Sequence, residues 1–166
     1  MPEAARQRRS ALKVVNVRLV KEPSLYSTER IQTPDDAIRV IADELKAYDR
    51  ECFCILNLKT DGKPINLNVV SIGTLNSAMV DPSEVFKSAI LANSAAVICV
   101  HNHPSGNPQA SQEDIVTTKR LIRAGQLLNI PVQDHIIVSG ESGETHSMRR
   151  EGLMEDRNRS WDEWER

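Results

Sequence analysis

Hydrophobic positions along the chain follow two periods, one typical of strands and the other of helices. The valine-rich segment "LKVVNVRLV" alternates between apolar and polar positions and predicts a strand near residues 13–20. Residues 52–58 and 65–73 have strand patterns and are separated by a short turn sequence, so they predict a β-hairpin. The continuous apolar run at 95–100 is typical of a central strand covered on both faces, and 131–140 predicts one more strand.

Three predicted helices lie between these strands. "TPDD" at 33–36 and "DPSE" at 81–84 are both typical helix starts, with a proline in the first turn and acidic residues near the positive helix end. The third and longest predicted helix covers Ser111 to Leu128. The apolar candidates for the core are Ala37, Val40, Ile41 and Leu45 in the first helix and Val85, Ile90 and Leu91 in the second. Helices that interleave with strands, together with an antiparallel hairpin, predict an α/β fold in which helices pack on a mixed sheet.

Length and composition indicate one compact domain. A chain of 166 residues with 40% hydrophobic and 27% charged residues is ordinary for a soluble globular protein. Its net charge of −2 provides no overall field that would attract a nucleic-acid backbone or an anionic membrane. No apolar run reaches the roughly 18 residues of a membrane helix, and no signal-peptide core follows the first ten residues. We therefore expect a cytoplasmic protein with no membrane partner.

The two ends of the chain differ from its centre in charge. Residues 1–21 carry six basic residues against one acidic residue, so we expect a solvated tail that can make a weak contact with nucleic acid. The C-terminal end is again polar and charged. We divide the chain into a basic N-terminal tail with the first strand at 1–27, a folded domain at 28–153 and a charged C-terminal tail at 154–166.

The three cysteines indicate a reducing compartment. Cys52, Cys54 and Cys99 all lie in apolar runs, and an odd number of them predicts buried thiols rather than a disulfide framework. Cys52 and Cys54 share one face of a predicted strand and could form a Cys-x-Cys metal clip. No second cysteine pair is near, so the core role is favoured.

The segment "HNHPSGNPQASQED" at 101–114 carries the candidate chemistry. Each part has a structural interpretation, since Ser111 and Asp114 have the spacing of a helix capping box and "PSGNP" is typical of a turn. Together, however, the parts predict more. Alternation at the end of the apolar strand directs the imidazoles of His101 and His103 to one face, and the first turn of the following helix can supply Asp114. Two imidazoles and one carboxylate suit a single Zn²⁺ ion with a fourth position for water, as in catalytic sites.

Such a site needs two further groups. Water bound to zinc has its pKa lowered towards about 7, and a base must then carry its proton to the leaving group. Ser111 can donate its hydroxyl to the developing oxyanion. For the base, Glu51 at the start of a strand and Glu84 at the start of a helix are both candidates, and spacing alone does not choose between them. Each also has a structural interpretation, as a strand-edge charge and as an acid at a helix N-terminus.

The same segment resembles the JAMM (MPN+) metalloprotease motif, His-x-His followed by seven residues, Ser, two residues and Asp. "GTLNSAMVDPSEVF", "AAVICVHNHPSG" and "LLNIPVQDHIIV" are similar to the RadC-like branch of that superfamily, and the resemblance covers about residues 30–153. The implied fold is the MPN-type α/β sandwich, a curved mixed sheet with helices on both sides.

The resemblance also implies roles for individual residues. The positions that match the zinc ligands are His101, His103 and Asp114. Ser111 matches the serine that steadies the tetrahedral intermediate, and Glu51 matches the glutamate that acts as general acid and base, which favours it over Glu84. Asp134 and His135 match a "DH" pair of the RadC-like branch, for which we infer only a structural role or support of the metal ligands.

The leading hypothesis is a zinc-dependent hydrolase that acts on a peptide or a protein conjugate. The first alternative is a RadC-like accessory protein of DNA repair or nucleic-acid binding, supported here only by the basic residues 6–21. Longer RadC-like proteins have a DNA-associated helical region where this chain has about 25 basic and polar residues, which weakens that alternative. The second is a non-catalytic MPN interaction module. Such modules typically lack motif ligands, all of which this chain keeps.

Overall fold

A computed structural model of the chain describes residues 30–45, 48–73, 80–104 and 106–155. The strand predicted near 13–20, the basic N-terminal residues and most of the predicted C-terminal tail lie outside the described residues. The elements of the described part are α1 (Pro34–Leu45), β1 (Cys52–Leu58), β2 (Pro64–Ile72), α2 (Pro82–Leu91), β3 (Ala96–His103), α3 (Gln112–Leu128), β4 (Val132–Ser139) and β5 (Thr145–Ser147).

The strands form one mixed sheet in the order β2-β1-β3-β4-β5. The predicted hairpin is confirmed, since β1 pairs antiparallel with β2. β3 occupies the centre of the sheet as predicted, antiparallel to β1 and parallel to β4. The short strand β5, which pairs antiparallel with β4, was not predicted. Its three residues, "THS", carry no hydrophobic alternation, and only pairing with β4 makes them a strand.

Helices cover both faces of this sheet. Within β3, Ile98 and Val100 point into a core cluster that includes residues of α1, whereas Val97 and Cys99 point into a second cluster that includes residues of α2 and α3. Every residue of β1 is buried, as expected for a strand between two layers. The protein is therefore the α/β sandwich with a mixed sheet that its sequence resemblance implies.

The helix starts behave as predicted, but one core candidate was wrong. Asp81 caps α2 by accepting a hydrogen bond from the backbone N–H of Ser83 at 3.0 Å. Val85 is buried, whereas Ile90 is 53% exposed. Ile90 lies five residues after Val85, about 140° around the helix, so it faces solvent while Phe86 and Ala89 complete the buried side.

All three cysteines are buried thiols, as predicted. Cys52 and Cys54 pack in the cluster on the α1 face, with their Sγ atoms 3.4 Å apart. Cys99 lies on the opposite face, where burial raises the pKa of its thiol. The core role is therefore confirmed for all three side chains. Among the described residues, no helix combines the length and the hydrophobicity needed to cross a membrane.

Candidate metal centre

Two histidines lie side by side at the end of β3. The alternation of the strand places His101 and His103 on the face covered by α3, with their Nε2 atoms 2.7 Å apart. His101 is buried, and His103 is partly exposed. The end of the central strand therefore presents two imidazole nitrogens to the same space.

The start of α3 brings a carboxylate to these nitrogens. The predicted capping box is confirmed: the Ser111 hydroxyl accepts from the N–H of Asp114 at 3.1 Å, and the Asp114 carboxylate accepts from the N–H of Ser111 at 2.7 Å. The capped conformation leaves Asp114 Oδ1 3.3 Å from His101 Nε2 and Asp114 Oδ2 3.5 Å from His103 Nε2. The helix cap thus also orients the carboxylate towards both imidazoles.

The three side chains form a group that could hold a metal ion. A tetrahedral ion with ligands at about 2.0–2.1 Å places neighbouring donor atoms about 3.3 Å apart, close to both histidine–carboxylate separations. The 2.7 Å between the two Nε2 atoms is a hydrogen-bond distance, so an ion requires the imidazoles to separate by roughly half an ångström. The donor set of two nitrogens and one oxygen suits zinc.

The charge states also suit a metal ligand set. Burial lowers the pKa of His101 well below its usual range, so the imidazole is neutral at neutral pH. Burial alone raises the pKa of Asp114, but the hydrogen bonds with the His103 ring and with Ser111 outweigh it and hold that pKa well below its usual range. The hydrogen bond with Asp114 raises the pKa of His103.

The segment after β3 orients His103 through the ring nitrogen that faces away from the other donors. The Nδ1 atom of His103 lies 2.6 Å from the carbonyl oxygen of Asn107, which can only accept, so Nδ1 donates and Nε2 is left facing the site. The segment is held to the end of β4, since Gly140 N–H donates to the carbonyl of His103 at 3.0 Å. A Cβ atom at Gly140 would lie 2.9 Å from Pro104 Cα, so a glycine is required at this contact.

A cleft of 370 Å³ borders the three donor atoms. Glu51, directly before β1, and Ser111 line this cleft. Glu84, the other candidate base, does not line it. Its exposed carboxylate lies 2.8 Å from the ammonium group of Lys87, one turn along α2. The structure therefore brings Glu51 and Ser111 to the three donors and leaves Glu84 elsewhere.

Asn102, which the sequence analysis did not single out, positions the backbone around Glu51. The Asn102 side chain is fully buried, accepts from the N–H of Cys52 at 2.7 Å and donates to the carbonyl of Arg50 at 2.8 Å. These two bonds hold the chain on either side of Glu51. A polar residue within an apolar strand was the available signal, because a buried amide needs partners.

The "DH" pair divides between the two faces of the sheet. His135 lies on the site face, with Nε2 2.7 Å from Nδ1 of His101. Asp134 points to the opposite face, where it accepts from the Ser147 hydroxyl at 2.6 Å and from the N–H of Arg149 at 3.0 Å. Alternation along β4 separates the two side chains, so Asp134 holds the chain around β5 while His135 contacts a candidate ligand.

Comparison with known proteins shows the family of the chain. The family model described as the RadC-like JAB domain matches residues 31–153. A UPF0758 protein of Desulforamulus reducens is 47% identical over 124 residues, which cover 75% of this chain and 54% of that protein. A UPF0758 protein of Methanosarcina mazei is 42% identical over 135 residues, 81% of this chain and 56% of that protein. The chain thus spans about half the length of these curated relatives. On the extent of the match and these identities, the chain belongs to the RadC-like JAB domain family.

Proposed function

We propose that this domain is a zinc-dependent hydrolase that cleaves a peptide or isopeptide bond. The observation that carries the proposal is the convergence of His101, His103 and Asp114 within a cleft that Glu51 and Ser111 also line. The resemblance to the JAMM motif supports it, because that motif belongs to metalloproteases. A neutral His101 and an ionised Asp114 are the protonation states that a metal ligand set needs.

The residues of the cleft divide the work of hydrolysis between them. Zinc, when bound, supplies Lewis-acid chemistry and lowers the pKa of water. Glu51 takes a proton from the attacking water and returns it to the nitrogen of the leaving amine. Ser111 donates its hydroxyl proton to the oxygen of the attacked carbonyl. Its cap of α3 uses a lone pair of the same hydroxyl, so capping and donation do not compete.

We expect a substrate whose leaving group is an amine. Glu51 and Glu113 add negative charge to its wall, which favours a cationic or amine-bearing segment such as a lysine side chain. The buried thiols, none of which forms a disulfide, suit work in the reducing cytoplasm.

Zinc content and cleavage together test the proposal. We expect about one zinc per chain by mass spectrometry and cleavage of fluorogenic peptide or lysine-isopeptide probes. Glu51→Gln should retain zinc and lose cleavage by about 10²-fold or more, since proton transfer contributes about 10²–10⁴-fold. Asp114→Asn should lose zinc, and Glu84→Gln, which lies outside the cleft, is the matched control with unchanged cleavage.

Two outcomes would contradict the proposal in different ways. Full zinc occupancy with undiminished cleavage by Glu51→Gln would exclude Glu51 as the base. A zinc-loaded wild type that cleaves no probe of either class would favour the non-catalytic interaction module.

A further inference from the structure

A chain of buried hydrogen bonds lies behind the candidate ligand His101. The Thr118 hydroxyl, from the second turn of α3, lies 2.6 Å from the carbonyl oxygen of Asp114 and 2.5 Å from Nδ1 of His135. His135 Nε2 in turn lies 2.7 Å from Nδ1 of His101. Thr118, His135 and His101 are each at most 1% exposed, so no solvent competes for these groups.

The direction of every bond in this chain follows from its first member. The Asp114 carbonyl can only accept, so the Thr118 hydroxyl donates to it. The same oxygen then accepts from Nδ1 of His135, which therefore carries the proton. A neutral His135 is left with a lone pair on Nε2, which accepts from Nδ1–H of His101. The only lone pair of the neutral His101 ring is then on Nε2, the atom that faces the metal site.

The opposite direction would disable the site. If the Thr118 hydroxyl donated to His135 Nδ1, the proton of His135 would lie on Nε2 and that of His101 would also lie on Nε2. His101 could then offer no lone pair to an ion. The Sδ atom of Met148 also lies 3.4 Å from Thr118 Oγ1, but thioether sulfur accepts weakly, so it competes little with the Asp114 carbonyl for the Thr118 proton.

Packing holds both rings in the orientation that these bonds need. The Phe53 ring stacks on His101 with a centroid distance of 6.1 Å and makes a T-shaped contact with His135 at 5.5 Å. Phe53 is itself buried, so its packing restricts the orientations of both rings.

We propose that Thr118 and His135 are positioning residues that hold His101 in the tautomer whose Nε2 lone pair faces the metal site. The proposal rests on the proposed function in that it takes the three donors to be metal ligands. The chain of bonds also connects two of the candidate ligands, because it begins at the backbone of Asp114 and ends at the ring of His101.

Zinc affinity of the purified chain, measured by competition with a chromophoric chelator, is the first test. Thr118→Val removes the hydroxyl at nearly constant shape, and we expect zinc to bind about 10–100-fold more weakly, the usual cost of losing such support. Thr118→Ser restores the hydroxyl and should bind within a few-fold of wild type. Ile41→Ala, buried on the opposite face of the sheet, is the control for lost stability and should leave zinc affinity unchanged.

Nitrogen-15 NMR of the histidine rings in the zinc-free chain is the second test. We expect Nδ1–H on both His101 and His135 in wild type and in Thr118→Ser, and a loss of that preference at His135 in Thr118→Val. A proton on Nε2 of His135 in wild type, or wild-type zinc affinity in a folded Thr118→Val, would overturn the proposal. If Thr118→Val fails to fold, the wild-type tautomers alone decide it.

A failure of the proposed function has a different signature. Wild-type protein without measurable zinc affinity would overturn both the zinc site and the role of this chain of bonds in supporting it. Zinc binding that is intact in wild type and indifferent to Thr118→Val would leave the site standing and overturn only the positioning role.

Discussion

At the scale of single residues, three imidazoles in one cluster have different acid–base properties. Burial lowers the pKa of both His101 and His135, because a charged ring loses its hydration there. His103 is less enclosed and has its pKa raised by the hydrogen bond with Asp114. Protonation of His101 or His135 therefore destabilises the fold, whereas protonation of His103 stabilises it.

His135 should make the zinc-free protein sensitive to acid. Burial lowers its pKa to about 4 in the folded chain, against about 6.5 when unfolded, so the unfolded chain binds more protons between these values. The free energy of unfolding should therefore fall as pH decreases from about 6.5 to about 4, by up to about 3 kcal/mol from this residue. Urea unfolding at pH 7 and at pH 4.5, with a chelator present to keep the protein free of zinc, measures this decrease.

The control for this prediction is His135→Gln, which cannot titrate. Its unfolding free energy should change less with pH than that of wild type, although His101 still contributes in the same direction and His103 in the opposite one. Equal pH dependence in the two proteins would show that His135 does not contribute.

At the scale of elements, the position of α3 depends on a close contact near its C-terminal end. A Cβ atom at Gly125 would lie 2.5 Å from the carbonyl oxygen of Ile130 and 3.1 Å from Cζ of Phe86 in α2. Asn129 ends the helix in the left-handed conformation, and the N–H of Ile130 donates back to Gly125 at 2.8 Å. The helix that carries Ser111 and Asp114 is thus packed against α2 through a glycine.

Gly125→Ala should destabilise the protein even though alanine is the better helix former by about 1 kcal/mol. The added methyl group meets a backbone oxygen that cannot move without shifting the chain after α3, so we expect a loss of roughly 1–3 kcal/mol in unfolding free energy. Denaturant unfolding measures it. Gln126→Ala, an exposed neighbour in the same turn, should change stability by less than about 0.5 kcal/mol. If Gly125→Ala left the unfolding free energy unchanged or raised it, the backbone around Ile130 would have to move away from the new methyl group at little cost.

At the scale of the whole molecule, the candidate centre joins the sheet to a helix layer. Its donors come from β3 and from the first turn of α3, and the base candidate Glu51 comes from the start of β1. An ion at this place therefore links elements that the unfolded chain would separate, so its binding favours the folded state.

Zinc should accordingly raise the unfolding midpoint of the protein. At a free zinc concentration about 1,000 times the Kd, binding to the folded state alone contributes about 4 kcal/mol. Thermal unfolding with zinc and with excess chelator gives the comparison. Asp114→Asn should show little of the shift, and a wild-type midpoint that zinc leaves unchanged would contradict a folded-state metal site.

Much of the fold and the candidate donor set could be predicted from local sequence. Helix starts, the hairpin and the central strand each depend on residues within a few positions, and so does the shared face of His101 and His103. The capping box at Ser111 and Asp114 is likewise a contact across three residues. The short strand β5 and the exposed Ile90 escaped prediction, because pairing with β4 and the direction of packing on α2 decide them.

The sequence by itself determined the elements, their order and the residue types that a metal ion would need. Only the tertiary structure decided that Glu51 rather than Glu84 lines the cleft, because this depends on which elements meet at the end of β3. It also gave His135 its partner Thr118, Asp134 its partner Ser147, and Asn102 its partner Cys52. These contacts join positions 13 to 50 residues apart, and no local pattern specifies them, since buried polar groups take partners from whatever packs against them.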